Sequence, residues 1–269
     1  MRHEDSRSGR AKILRKAAER LKKGAEPAEQ NNALSVVSAA TVSGQGKREY
    51  QQDAFALSGV SDSGGSVFAA ALCDGMGGMA DGRRIADDTV KQALRLCLEG
   101  GDCAAGIADI SREIYEKYSG AGGATLAMIR IRGGMLEFWS VGDSDVYLLR
   151  RGRLCRLNAR HTHMSELLRQ VAMRRIDFEE ACRSVQRGAL SQYMGEKSVV
   201  PDSFQTPFAL VSGDTLMLCS DGVSGTLSER RLAHMLTFTP QACCDAIERE
   251  IIEADRSGQD NYSAVVVRF

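Results

Sequence analysis

Short apolar runs in this chain end on an aspartate beside a glycine at three widely separated places. They are Ala70-Ala71-Leu72-Cys73-Asp74-Gly75, Trp139-Ser140-Val141-Gly142-Asp143-Ser144 and Leu216-Met217-Leu218-Cys219-Ser220-Asp221-Gly222. Runs of this length, bounded by turn residues, suit buried strands. Each such strand carries a carboxylate to its open end, where glycine lets the backbone turn sharply. A fourth aspartate, Asp260, stands in Gly258-Gln259-Asp260-Asn261, just before Ala264-Val265-Val266-Val267. One Asp-Gly is ordinary turn chemistry; several suggest carboxylates gathered from distant strands. Gathered carboxylates repel unless cations lie among them, and an all-oxygen donor set suits Mg²⁺, Mn²⁺ or Ca²⁺.

The segments between these aspartates come in blocks. Strand-like runs at 35–43, 53–60 and 67–73 precede a helical stretch at 82–98, whose apolar face is Ile85, Val90, Ala93, Leu94 and Cys97, and a second helix near 103–118. Strands are predicted again at 123–131, 135–142, 145–150 and 153–157, with hairpin turns at Arg132-Gly133-Gly134 and Arg151-Gly152-Arg153. Residues 163–187 read as helical and polar. A strand at 214–220, helices at 227–236 and 240–254 and a last strand at 261–268 complete the chain. Strand clusters interleaved with helix pairs predict an α+β fold with mostly antiparallel sheets, not a doubly wound parallel one.

A chain of 269 residues can bury a sizeable core. Lys+Arg and Asp+Glu both number 35, so bulk charge gives no support to a nucleic-acid role. The eight cysteines are scattered, with no Cys-x-x-Cys pair to suggest zinc; several lie in apolar runs and read as small hydrophobes, in a reducing, cytoplasmic compartment. No apolar stretch approaches a membrane span, and the first residues lack the apolar core of a signal peptide. Residues 1–23 differ from the rest: nine Lys/Arg face three acids, with Ile13, Leu14, Ala17, Ala18 and Leu21 at helical spacing. This basic segment suits a membrane surface or an acidic partner, although a thin apolar face favours a solvated extension. Residues 1–34 are therefore read as extension and linker, and 35–269 as the folded domain.

Six motifs in order give the chain a family resemblance. They are Gly46-Lys47-Arg48 to Gln52-Asp53, Asp74-Gly75-Met76-Gly77-Gly78, Gly122-Gly123-Ala124-Thr125-Leu126, Val141-Gly142-Asp143-Ser144, Ser220-Asp221-Gly222 and Asp260-Asn261. With these the chain resembles the metal-dependent serine/threonine protein phosphatases of the PP2C type, in their compact bacterial form. The resemblance implies a four-layer α-β-β-α sandwich and hydrolysis of phosphoserine and phosphothreonine on proteins by a hydroxide bridging two Mn²⁺ or Mg²⁺ ions. It implies that Asp74 bridges the ions with the Gly75 carbonyl on one of them, that Asp221 and Asp260 bind the first, and that Asp53 holds the second through water. Asp143 then serves a third, weaker ion, and Arg48 binds the phosphate. Two cations lower the pKa of a water and clamp phosphoryl oxygens, and a guanidinium grips phosphate with two prongs. Phosphoprotein partners, a companion serine/threonine kinase and a monomeric state are the matching expectations. The competing reading is a catalytically weak relative used as a binding or regulatory module.

The chain also departs from the family pattern. Met76 stands where many eukaryotic members carry a histidine proposed as general acid; bacterial members often have Met there, a metal-bound water would then protonate the leaving group, and His161 and His163 are the nearest alternative candidates in sequence. Gln51 replaces an Asn beside the phosphate-binding segment. Asp145 replaces an Arg after Gly-Asp-Ser, and is read as facing solvent rather than adding to the metal site. Asn158-Ala159-Arg160-His161 replaces Thr-x-Asp-His and opens a segment, 158–200, that resembles the family's substrate-selecting flap.

Overall fold

Strands whose residues are apolar on both faces need a layer on each side, and this chain supplies both. The computed structural model describes residues 36, 38–62, 65–76 and 81–269. The basic segment, Gly77 and Gly78 lie outside the described residues.

One sheet joins β1 (Ser38–Gly44), β13 (Tyr262–Arg268), β12 (Thr215–Cys219), β8 (Asp145–Arg150) and β9 (Arg153–Arg156), in that spatial order. The other joins β10 (Asp202–Ser203), β7 (Met135–Val141), β6 (Leu126–Arg132), β3 (Gly65–Cys73) and β2 (Ala54–Asp62), with β11 (Phe208–Ala209) also on β7. Neighbouring strands in both sheets run antiparallel. A small ladder, β4 (Gly75–Met76) with β5 (Gly123–Ala124), closes one end.

Alternation sorts the side chains into layers. Leu216, Leu218, Val265, Val267, Val146 and Leu148 meet Ala70, Leu72, Ala127 and Ile129 between the sheets. The intervening Met217, Cys219, Ala264, Val266, Tyr147 and Leu149 pack outward on α6 (Glu229–Met235) and α7 (Pro240–Ala254) through Leu232, Met235, Ile247 and Ile251. On the other side Ala69, Ala71 and Met128 meet Ile85, Val90, Ala93, Ile107 and Ile114 of α1 (Asp81–Glu99) and α2 (Cys103–Lys117). This is the expected four-layer α-β-β-α sandwich.

The expected helical stretch 163–187 is corrected to two short helices, α3 (His163–Ala172) and α4 (Phe178–Arg183). Arg174 sits at φ 57°, a left-handed turn that stops the first helix. Asp177 then caps the second by accepting the Glu180 amide at 2.6 Å. A helix not anticipated from sequence, α5 (Asp221–Ser224), begins directly at the end of β12.

Candidate active site

Antiparallel pairing brings the ends of β3, β7 and β12 and the start of β13 to one end of the sandwich, and the expected aspartates come with them. Asp74 lies between β3 and β4. Its amide donates to Thr125 Oγ1 at 2.9 Å, and that hydroxyl lies 2.7 Å from Ser144 Oγ, beside Asp143. Asp53 is almost wholly buried, and its Oδ2 accepts from Ser220 Oγ at 2.8 Å, which links it to the end of β12. Asp221 begins α5, and its charge acts on Asp74. Asp260 precedes β13.

The Arg48 loop is anchored on the Asp260 segment. Asn261 Oδ1 accepts the Gln52 amide at 2.9 Å, while its Nδ2 donates to the carbonyls of Gln45 and Tyr50 at 2.8 and 2.9 Å. Lys47 N donates to Gln259 O at 2.9 Å, and Gly46, at φ 61°, packs so closely that a side chain would overlap the Asp260 carbonyl. The Arg48 guanidinium is exposed and donates to Asp260 Oδ2 at 2.5 Å, and it also lies in the fields of Asp221 and Asp74. Gln51 is occupied, donating to Ser43 Oγ and Gly44 O at the end of β1 and accepting the Asp53 amide.

The carboxylates repel one another. Burial, and after it the charges of Asp53, Asp221, Asp143 and Asp260, push Asp74 well above the ordinary carboxylate range. Burial lifts Asp53 to about 6, helped by Asp221 and Asp260 and opposed by the hydroxyl of Ser220 and by Ser263. Asp143 rises to about 6 through burial and the charge of Asp221, with Arg160 pulling it down. Asp221 is raised by burial and by Asp260. Oδ1 of Asp53 and Oδ1 of Asp221 are buried without a hydrogen-bond partner. Buried acceptors in mutual repulsion suit hard cations. Among the described residues, no three His, Cys, Asp or Glu side chains already stand as one ion's ligand set. The fit therefore rests on the donor chemistry and on the orphaned oxygens.

A pH dependence follows for metal-free protein. The folded chain keeps protons on Asp53 up to about 6, whereas an ordinary aspartate releases its own near 3.8, so this site costs stability as pH rises through that window. Asp53→Asn escapes the cost and keeps an acceptor for Ser220. The Tm of the variant minus that of the parent is therefore expected to grow between about pH 4 and pH 6 and then level off. Thermal scans without metal check this, and a difference that is flat or shrinks across the window contradicts it.

Asp145 is corrected from solvent to core: it is fully buried and paired with Arg160. His161 is also buried. Its Nδ1 accepts the Gly142 amide at 3.2 Å and its own amide donates to Gly142 O at 2.8 Å, so the ring braces the loop before Asp143. His163 is exposed at the start of α3. The 158–200 segment returns beside the site, where Met194 and Ala124 exchange backbone hydrogen bonds next to the Gly75 pairing. Ser220, Ser144, Thr125 and Asn261 connect the carboxylate segments and were given no role in the sequence reading. For Ser220, Ser144 and Asn261 the available signal was a polar residue next to a motif aspartate; Thr125 adjoins none.

Comparison with known proteins gives the family and the fold. The family model described as "Protein phosphatase 2C" matches residues 43–253. "Serine/threonine protein phosphatase PstP" of Mycobacterium tuberculosis is 32% identical over 209 residues, covering 73% of this chain and 39% of PstP. "Serine/threonine phosphatase stp" of Listeria welshimeri is 30% identical over 147 residues, covering 54% of this chain and 56% of that protein. The chain thus spans well under two thirds of these relatives' lengths. The crystal structure of the PstP catalytic domain "in complex with 2 Manganese ions" superposes with a TM-score of 0.69 at 26% identity, covering 87% of this chain and 98% of that one. Stp1 of Staphylococcus aureus shares the fold, with a TM-score of 0.72 at 19% identity over 91% of this chain and 99% of that one.

Proposed function

Because this chain belongs to the protein phosphatase 2C family, we propose that it hydrolyses phosphoserine and phosphothreonine on proteins with two Mn²⁺ or Mg²⁺ ions as cofactors. The observation that carries this reading is the gathering of Asp53, Asp74, Asp143, Asp221 and Asp260 at one end of the sandwich, with buried carboxylate oxygens left unpartnered. When bound, such ions supply a water of lowered pKa and neutralise charge on the phosphoryl group. Asp74, Asp221 and Asp260, with the Gly75 carbonyl, would hold them directly, Asp53 would act through water, and Asp143 would serve a third, weaker ion.

The chain's other groups position and neutralise the substrate. Arg48 stands exposed at the rim, within the same field of carboxylates, and its planar fork suits the phosphate dianion. Ser220 and Thr125 fix Asp53 and the Asp74 backbone, so these carboxylates are held in place before substrate arrives. The 158–200 segment, attached beside Gly75 through Ala124 and Met194, would select among phosphoproteins. A partner serine/threonine kinase would supply those substrates, and the basic residues 1–34 would act as a tether rather than as part of the site.

Phosphate release from a phosphothreonine peptide tests the reading: turnover should require Mn²⁺ or Mg²⁺ and stop with chelator. No turnover and no heat of Mn²⁺ binding would leave the binding-module reading instead. Arg48→Ala is expected to lower kcat/KM on that peptide about 10²-fold, the scale of losing one positioned donor. Arg48→Lys should regain only part of this, because an ammonium cannot form the two-pronged contact. Steady-state kinetics decide, and an Arg48→Ala loss below about threefold would remove Arg48 from the substrate's path.

A further inference from the structure

We infer that Arg160 is a positioning residue: through its ion pair with buried Asp145 it fixes the Asp143 loop against the Asp221 helix, with the charges of the pair exchanged relative to the family pattern. The inference deepens the proposed function and, for its activity readout alone, rests on it.

Asp145 has no exposed surface, and a carboxylate so placed needs a cation. Arg160 supplies one with both prongs, Nε to Oδ1 at 2.9 Å and Nη2 to Oδ2 at 2.5 Å. Tyr147 Oη donates to the same Oδ2 at 3.3 Å, and Arg156 lies 3.7 Å from Oδ1. Arg160 Nη2 also donates to Ser224 Oγ at 2.9 Å, on the short helix that Asp221 begins. One guanidinium thus joins the strand that follows the Asp143 loop to the helix that carries Asp221.

Its neighbours in sequence hold the same loop from both sides. Asn158 accepts the Val146 amide and donates to the Ser144 carbonyl, each at 2.9 Å, and His161 brackets Gly142. Residues 158–161 therefore grip 142–146 on either side of Asp143, and the same residues open the segment that resembles the flap. Two departures noted in the sequence fall on a single bond: Asp145 where the family pattern has Arg, and Arg160 where it has Asp. Like charges at both positions would be buried together; with Asp145 and Arg160 the charges oppose across the bond, and the cationic arm comes from the 158–161 segment.

The full chain is tested as Asp145→Arg, Arg160→Asp and the double exchange, with Arg160→Gln as a milder variant should the reversals not fold. Metal-free Tm is read by calorimetry, Mn²⁺ affinity by titration and kcat/KM on a phosphothreonine peptide. Each reversal alone should lower Tm by about 10 °C, the scale of breaking a buried pair. The double exchange should recover at least half of that loss. Arg160→Gln should weaken Mn²⁺ binding about 10- to 100-fold, as losing the support of a ligand does. Unchanged Mn²⁺ affinity in Arg160→Gln, or a double exchange no better than the worse single, overturns the inference. Mn²⁺ binding without turnover by the parent chain would sink the phosphatase reading while the affinity and Tm comparisons still decide this one.

Discussion

Asp221→Asn is expected to abolish Mn²⁺-dependent hydrolysis of a phosphothreonine peptide while leaving the fold intact. Asp221 stands at the start of α5, its charge acting on Asp74, with one carboxylate oxygen buried and unpartnered. The amide is nearly the same shape but cannot offer a second anionic oxygen to a cation. A residue that only supports a metal ligand typically costs about 10- to 100-fold, so loss of a direct ligand should exceed that. In metal-free protein the same change removes a repelling charge beside Asp260, so Tm should stay level or rise. Turnover within a few-fold of the parent, roughly less than fivefold, would remove Asp221 from the chemistry.

The second large effect is structural and falls at the next residue. Gly222 is buried against the backbone of Asn261, where a methyl group would overlap the carbonyl oxygen and press on Tyr262 Cα. The neighbour is backbone and has no flexible end to move aside. Gly222→Ala should therefore cost about 3 kcal/mol, at the upper end of overpacking, and lower Tm by roughly 6–12 °C. It would also separate the Asp221 helix from the Asp260 segment, so the Tm rise produced by Mn²⁺ should shrink as well. Gly258→Ala is the control: it is exposed, an added methyl meets nothing within 4 Å, and Tm should hold within about 2 °C. Equal melting of the two variants would contradict the close approach at Gly222.

Much of this architecture was legible in the sequence because its strands carry apolar residues on both faces. Leu216-Met217-Leu218-Cys219 reads as one run and divides in the fold into an inter-sheet pair and a helix-facing pair. Two-residue strands such as Asp202–Ser203 and the four-residue Asp221–Ser224 helix are too short to show a period, and they were missed. The 163–187 stretch kept a helical composition through Arg174, whose left-handed backbone breaks it.

Asp74, Asp143 and Asp221 were legible for a chemical reason: a carboxylate at the end of an apolar run stands out. Their supports were not, because Ser220 and Asn261 act through bonds to residues far away in sequence. Asp145 was misread for the same reason. A charged residue starting a strand reads as solvent-facing until its cation is found, and Arg160 lies 15 positions further on.

A Mn²⁺-soaked crystal, read by its anomalous difference map, tests the central claim most directly. Two strong peaks are expected among Asp74, Asp221, Asp260 and Asp53, with a weaker third beside Asp143. A map without peaks there, or with Mn²⁺ on carboxylates elsewhere on the surface, would contradict the account.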